Sequence, residues 1–142
     1  MIPARQPVIV VGAGPVGLVC ALGLARQGIP VVVLEAEEAL THDLRAGTFH
    51  PPTLEMMAPL GLTDSLLTIG IQVPQWQIRD RRAGLVAQFD LGLLASDTPY
   101  PFRLHCEQHK LTPIARDRLP LCPAPRSASA AGSSTRPNRP TA

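Results

Sequence analysis

A glycine-rich turn between a strand-like and a helix-like segment is the feature that most constrains how this chain can fold. Residues 8–11 read Val-Ile-Val-Val, and such a β-branched run is typical of a strand buried on both faces. The pattern G-x-G-x-x-G follows at once, with its glycines at Gly12, Gly14 and Gly17. Pro15 suits the first position of a helix, because its fixed φ is helical and that position needs no N–H. The sequence therefore predicts a strand, a tight turn and a helix in direct succession.

A second strand should follow this helix. Leu18, Leu22 and Ala25 recur at helical spacing until Gly28, which is suited to end the helix. Residues 31–34 form another aliphatic run. Because the connection is one short helix, the two strands should lie parallel and adjacent, with a right-handed crossover. These segments predict an α/β fold that starts with a Rossmann-like βαβ unit.

Each glycine of the turn has a physical task if the turn binds a diphosphate. Gly12 permits the tight turn, and Gly14 lets the backbone approach the phosphates without a Cβ in the way. Gly17 allows the helix to lie close against the strand. The helix begins at Pro15, and its N-terminus presents unpaired N–H groups, such as that of Val16, and a partial positive charge to the phosphates. The turn is therefore a candidate diphosphate site.

Glu35, at the end of the second predicted strand, indicates a dinucleotide ligand. Its carboxylate can accept hydrogen bonds from the hydroxyls of an adenosine ribose, and it would repel a 2′-phosphate, which disfavours NADP at this site. FAD and NAD share the ADP half that such a unit binds. A flavoprotein, a fragment of an NAD-dependent dehydrogenase and a non-catalytic dinucleotide-binding module therefore all fit this motif.

Further along the chain the patterns predict a loop, a helix and a hairpin. Residues 36–50 are polar and aperiodic, which is typical of a loop. A helix is predicted from Thr53, and Gly61 is suited to be the left-handed residue that closes it. Residues 71–79 and 85–91 predict two antiparallel strands. Such a hairpin would begin a second sheet.

The last predicted helix spans about residues 107–119 and contains Pro113. Two arrangements fit the sequence. Either Thr112 caps a short helix that has Pro113 at its first position, or a longer helix starts near Cys106 and kinks at the proline.

Several ordered motifs resemble the N-terminus of the class A flavin-dependent aromatic hydroxylases, which include p-hydroxybenzoate hydroxylase-like and 3-(3-hydroxyphenyl)propionate hydroxylase-like FAD-binding monooxygenases. The resemblance covers roughly residues 8–119 and favours FAD over NAD. The matching segments are the glycine turn through Leu18, Leu34-Glu35, Arg45-Ala46, residues 52–55 with 60–62, and residues 106–108 with 110–111.

The resemblance implies a cofactor, a reaction and two further binding residues. Arg45 would contact the FAD phosphates or ribitol, and Gln108 would hydrogen-bond the cofactor near its ribitol and pyrophosphate. In the family NAD(P)H reduces the flavin, and O₂ then supplies the oxygen atom that hydroxylates an aromatic, typically phenolic, substrate. Because the cofactor performs the difficult chemistry, the lack of a recognisable catalytic side chain is expected.

The sequence changes character after residue 119, where prolines are scattered among Ser, Ala and Arg. We therefore predict a partial FAD-binding domain in residues 1–119 and a disordered Pro-rich tail in residues 120–142. Complete family members are longer and carry later Asp-Gly and Gly-Asp motifs that are absent here. The hypothesis is a truncated product with an out-of-frame tail, which alone would bind FAD weakly or not at all.

Composition argues against several other classes of function. Lys and Arg number 13 against 11 Asp and Glu, without a basic stripe, so no nucleic-acid partner is predicted. Three cysteines without disulfide or zinc-site spacing indicate a reducing cytoplasm. His105, Cys106 and His109 cluster without a second ligand pair, so no metal site is predicted. Residues 8–25 are uncharged, but their glycines and central Gly-Pro would break a membrane helix.

Overall fold

The computed structural model of the protein describes residues 6–38 and 46–120. Arg45 and the predicted tail beyond residue 120 lie outside this part of the chain. The strands are β1 (Val8–Val11), β2 (Val31–Leu34), β3 (Thr48–Phe49), β4 (Ile71–Val73), β5 (Gln75–Asp80), β6 (Gly84–Asp90) and β7 (Arg103–His105). The α-helices are α1 (Pro15–Arg26), α2 (Pro51–Met57), α3 (Leu62–Ile69) and α4 (Leu111–Arg118).

The first three elements form the predicted βαβ unit. Strands β1 and β2 are parallel neighbours, with Val8 opposite Val31 and Val11 opposite Leu34. Pro15 is the first residue of α1, and Gly28 follows the helix with a φ of 72°. The order and pairing of these elements are as predicted, but the prediction that the first strand is buried on both faces is wrong, since Ile9 and Val11 are largely exposed.

A three-stranded antiparallel sheet, in the order β3-β7-β4, was not predicted. Residues 36–50 were predicted to be a loop, yet Thr48–Phe49 pairs with β7. Residues 71–79 were predicted to be one strand, but Ile71–Val73 pairs with β7 and only the following residues enter the hairpin. Pro74 separates the two strands, since it cannot donate a ladder hydrogen bond.

The predicted hairpin is present as β5 and β6. Its turn is closed by the Asp80 carboxylate, which accepts hydrogen bonds from the backbone N–H groups of Arg82 at 2.8 Å and Ala83 at 2.7 Å. On one face Trp76 and Phe89 stack with ring centroids 4.5 Å apart. The Arg103 guanidinium lies 5.6 Å from the centroid of the Trp76 ring, which links the hairpin to β7.

The helices differ from the prediction at their ends. Helix α2 begins at Pro51 rather than Thr53 and continues into a 3₁₀ turn at Ala58–Leu60. Gly61 has the predicted left-handed conformation, with a φ of 70°. It does not end the helical region, however, because it is also the residue from which α3 starts.

Neither arrangement predicted around Pro113 is correct. A 3₁₀ turn at Gln108–Lys110 leads directly into α4, whose first residue is Leu111. Pro113 is therefore the third residue of the helix, where its missing N–H leaves no helical hydrogen bond unmade. The Thr112 hydroxyl donates to the carbonyl oxygen of His109 at 2.9 Å.

The hydrophobic core lies among the four helices and β7, and the β1–β2 sheet stands largely outside it. Val11 and Ile9 are 82% and 61% exposed. In the described residues no helix is both long and apolar enough to cross a bilayer. The buried core residues are Leu18, Leu22, Phe49, Leu54, Met57, Leu62, Leu66, Leu104, Cys106, Leu111 and Ala115.

Candidate functional site

The turn between β1 and α1 has the geometry that the glycine pattern predicts. Gly12 has a φ of 98°, which glycine adopts far more readily than other residues. Its N–H donates to the carbonyl oxygen of Leu34 at 2.7 Å, so the turn is fastened to the end of β2. The chain then reaches Gly14, which has an extended backbone and precedes the first residue of α1.

Gly17 is the point at which helix and strand come closest. A Cβ added there would lie 2.0 Å from the carbonyl oxygen of Gly12 and 3.5 Å from Cγ1 of Val10. Any side chain would therefore push α1 away from the turn. The close packing predicted for this glycine is present.

Gly14, unlike Gly17, has open space around it. A Cβ added there would meet no heavy atom within 4 Å in the described part of the chain. The first helical hydrogen bond runs from the N–H of Leu18 to the carbonyl oxygen of Gly14 at 3.0 Å. The N–H groups of Val16 and Gly17 precede that bond and have no partner within the helix. Open space beside free N–H groups and the positive end of α1 fits a diphosphate.

Glu35 lies at the end of β2 and faces the turn. Its Oε2 accepts a hydrogen bond from the N–H of Ala13 at 2.6 Å. Its Oε1 accepts from the N–H groups of Ala36 at 2.8 Å and Glu37 at 3.1 Å. These bonds, that of Ala13 first, lower the pKa of Glu35 below its ordinary value, so the side chain is an anion at neutral pH.

Gln108 is far from the turn in sequence but close to it in space. It contributes to a cavity of about 370 Å³ that is also lined by Pro15 and Val16 of the turn. Its N–H donates to the carbonyl oxygen of Ala46 at 3.1 Å. Ala46 is the residue that follows Arg45. The structure thus brings together the glycine turn and Gln108, whereas Arg45 itself lies outside the described residues.

The other walls of this cavity come from α1, β3, α2 and the start of α4. Thr48, Thr53 and Met56 line it. None of these was predicted as a site residue, because β3 has no recognisable sequence pattern and because Thr53 and Met56 were predicted only as part of a helix. Cys20 of α1 also lines the cavity and is exposed.

An exposed ion pair lies on the segment that carries Gln108. Lys110 lies against the carboxylate of Glu107, and this contact raises the pKa of Lys110 and lowers the pKa of Glu107. Burial raises the pKa of the neighbouring Cys106 thiol.

Within residues 6–38 and 46–120 no group of three or more His, Cys, Asp or Glu side chains is arranged to hold a metal ion.

Comparison with known proteins connects this geometry to a family. Residues 5–129 match the family model of the FAD binding domain. The chain is 39% identical, over 119 residues, to 6-hydroxy-3-succinoylpyridine 3-monooxygenase HspB of Pseudomonas putida strain S16. That match covers 84% of this chain and 30% of the relative.

Solved structures agree with the sequence matches. The crystal structure of p-nitrophenol 4-monooxygenase PnpA from Pseudomonas putida DLL-E4 superposes with a TM-score of 0.76 at 36% identity, covering 80% of this chain and 29% of that one. Aklavinone-11 hydroxylase, solved with FAD and aklavinone, superposes with a TM-score of 0.68 at 29% identity. That match covers 84% of this chain and 24% of the hydroxylase.

The chain therefore spans about 30% of the length of HspB, and its likeness to these relatives lies in the part of them that it covers. The glycine turn and the acidic strand end fit either FAD or NAD, and the family and sequence matches along most of the chain decide for flavin. The chain belongs to the FAD binding domain family of flavin-dependent aromatic monooxygenases.

Proposed function

We propose that this chain is the FAD-binding part of a monooxygenase that hydroxylates aromatic, phenolic substrates with NAD(P)H and O₂. The relatives support this assignment, since HspB is named for a hydroxylated pyridine and PnpA for p-nitrophenol. Because the chain spans about 30% of HspB, hydroxylation is proposed for the whole protein rather than for this chain. The incomplete Rossmann-like unit, the domain limit at residue 119 and the cytoplasmic setting remain predictions.

The glycine turn is proposed to hold the FAD diphosphate. Gly12 shapes the turn, and Gly14 leaves the space that the phosphates would fill. Pro15 starts α1, and the N–H groups of Val16 and Gly17 would donate to phosphate oxygens.

Three further residues are proposed to contact the rest of the cofactor. Glu35 would accept hydrogen bonds from the adenosine ribose, Arg45 would contact the phosphates or ribitol, and Gln108 would hydrogen-bond near the ribitol. The shared cavity of Gln108 and the turn supports the last assignment. Bound FAD would supply the redox chemistry, and the side chains would bind and orient it.

The observation that carries the proposal is the open space at Gly14 beside the N-terminus of α1. It also allows a test in which the fold is kept. Gly14→Val adds a side chain where no heavy atom of the described residues lies within 4 Å, and the extended backbone accepts valine. The side chain should therefore occupy the space of the phosphates without disturbing α1.

The measurement is a titration of the purified chain with FAD, followed by flavin fluorescence. The chain alone is expected to bind FAD weakly, so wild type should show binding that saturates only at millimolar FAD, and Gly14→Val should lose it while keeping the same circular dichroism spectrum. Gly23→Ala is the control, since a Cβ at this glycine within α1 also meets nothing within 4 Å. No saturable binding by wild type at millimolar FAD, or equal binding by Gly14→Val, would contradict the proposal.

A further inference from the structure

We infer that the Glu35 carboxylate is a positioning residue, which holds the glycine turn in its ligand-binding shape before any nucleotide arrives. This role is separate from the bond to ribose proposed above. It rests on the proposed FAD site and states how one residue of that site acts.

The hydrogen bonds of Glu35 carry the inference. Oε2 receives the N–H of Ala13, the residue between the first two glycines, at 2.6 Å. Oε1 receives the N–H groups of Ala36 and Glu37 at 2.8 and 3.1 Å, which anchors the carboxylate to the chain after β2. One side chain therefore joins the turn after β1 to the end of β2.

The turn has reason to need such an anchor. Its glycines give the backbone more freedom than other residues would, and that freedom must be lost when a ligand is bound. The bond from the N–H of Gly12 to the carbonyl oxygen of Leu34, at 2.7 Å, holds only the first residue of the turn. The Ala13 bond extends the attachment by one residue toward Gly14.

The acceptor capacity of a carboxylate separates this role from ribose binding. Two oxygens offer about four acceptor positions, and backbone N–H groups already take three of them. A glutamine would have one oxygen, so it could not accept from Ala13 on one side and from Ala36 and Glu37 on the other. A ribose hydroxyl can both donate and accept, so a glutamine amide could still serve it.

The test compares Glu35→Gln with Glu35→Ala, and uses Glu38→Gln as a control that removes the same charge from a nearby exposed residue. Backbone amide exchange of Ala13, measured by NMR on the ligand-free chain, should be faster in both Glu35 variants. ADP titrated by calorimetry should bind both of them roughly ten- to hundredfold more weakly than wild type. Glu38→Gln should leave both measurements unchanged.

Inorganic pyrophosphate, which has no ribose, gives the sharpest readout. It should bind Glu35→Gln more weakly than Glu38→Gln, although the two variants carry the same charge. Equal affinities for pyrophosphate, or Ala13 exchange unaltered in Glu35→Gln, would overturn the positioning role. If wild type binds neither ADP nor FAD, the proposed function fails, but Ala13 exchange still decides whether Glu35 holds the turn.

Discussion

The side chains of the helical core are buried, whereas those of the β1–β2 sheet are exposed or only partly buried. Leu54, Leu66 and Leu104 have no solvent exposure, whereas Ile9 and Val11 of β1 are 61% and 82% exposed. Yet it is the poorly covered sheet that carries the glycine turn and Glu35. Stability and ligand binding therefore depend on different parts of this chain, and substitutions should separate them.

The largest effect is expected in the core. Leu104→Ala would leave a cavity between β7 and the helices, and such a change costs about 2–5 kcal/mol of unfolding free energy. Leu93→Ala is the control, because this leucine is 83% exposed and its loss should change stability by less than about 0.5 kcal/mol. Chemical denaturation measures both. Similar values for the two variants would show that the helical core does not dominate stability.

A smaller effect is expected where the core meets the turn. In Gly17→Ala the new Cβ would lie 2.0 Å from the carbonyl oxygen of Gly12, so α1 must move. We expect a loss of about 1–3 kcal/mol in stability together with weakened FAD binding. Gly23→Ala, in the same helix, should instead gain roughly 0.5–1 kcal/mol. A stable Gly17→Ala that binds FAD normally would mean that the turn tolerates a wider separation from α1.

Acid should weaken nucleotide binding at the end of β2, because it protonates Glu35. Backbone N–H groups lower the pKa of Glu35 from its ordinary value of 4.5, so its contribution is complete above that pH and is lost as the pH falls through the lowered pKa. The affinity for FAD, whose diphosphate has no terminal phosphate that titrates in this range, should therefore be constant from pH 8 to about pH 5 and decline as the pH falls through the lowered pKa of Glu35. Calorimetric titrations across this range measure the effect. A decline centred near neutral pH would assign the dependence to another group.

The smallest change in stability is expected on the exposed sheet. The double variant Ile9→Thr and Val11→Thr keeps β-branched side chains and removes exposed apolar surface. Its unfolding free energy should stay within about 0.5 kcal/mol of wild type per substitution. Light scattering should show less aggregation, because an exposed apolar strand promotes association. Strong destabilisation would show that these side chains are buried in solution by another chain.

The parts predicted from sequence are those specified by local patterns. The aliphatic runs of β1 and β2, the three glycines of the turn and the left-handed Gly61 each have a short-range physical cause. Strands β3 and β7 have two and three residues, and only long-range pairing, of β3 with β7 and of β7 with β4, makes them strands. Such long-range pairing leaves no periodicity in the sequence.

In the site, too, local sequence motifs predict the residues, whereas their contacts depend on long-range packing. Glu35 was predicted from its place after a strand, but the backbone N–H of Ala13 that it binds has no sequence signal. Gln108 was predicted through family resemblance, and its position beside Val16 follows only from the packing of α1 against α4. Helix α3 was missed because Gly61 reads as a stop signal, although here it also starts the next helix.

The central claim, that the N-terminus of α1 and its glycine turn bind the diphosphate of FAD, can be tested most directly by mapping backbone amide shifts in the labelled chain during an FAD titration. The largest shifts should fall on Ala13, Gly14, Val16 and Gly17, with the helical core around Leu104 almost unchanged. Saturable FAD binding that leaves these four amides unshifted would contradict the account.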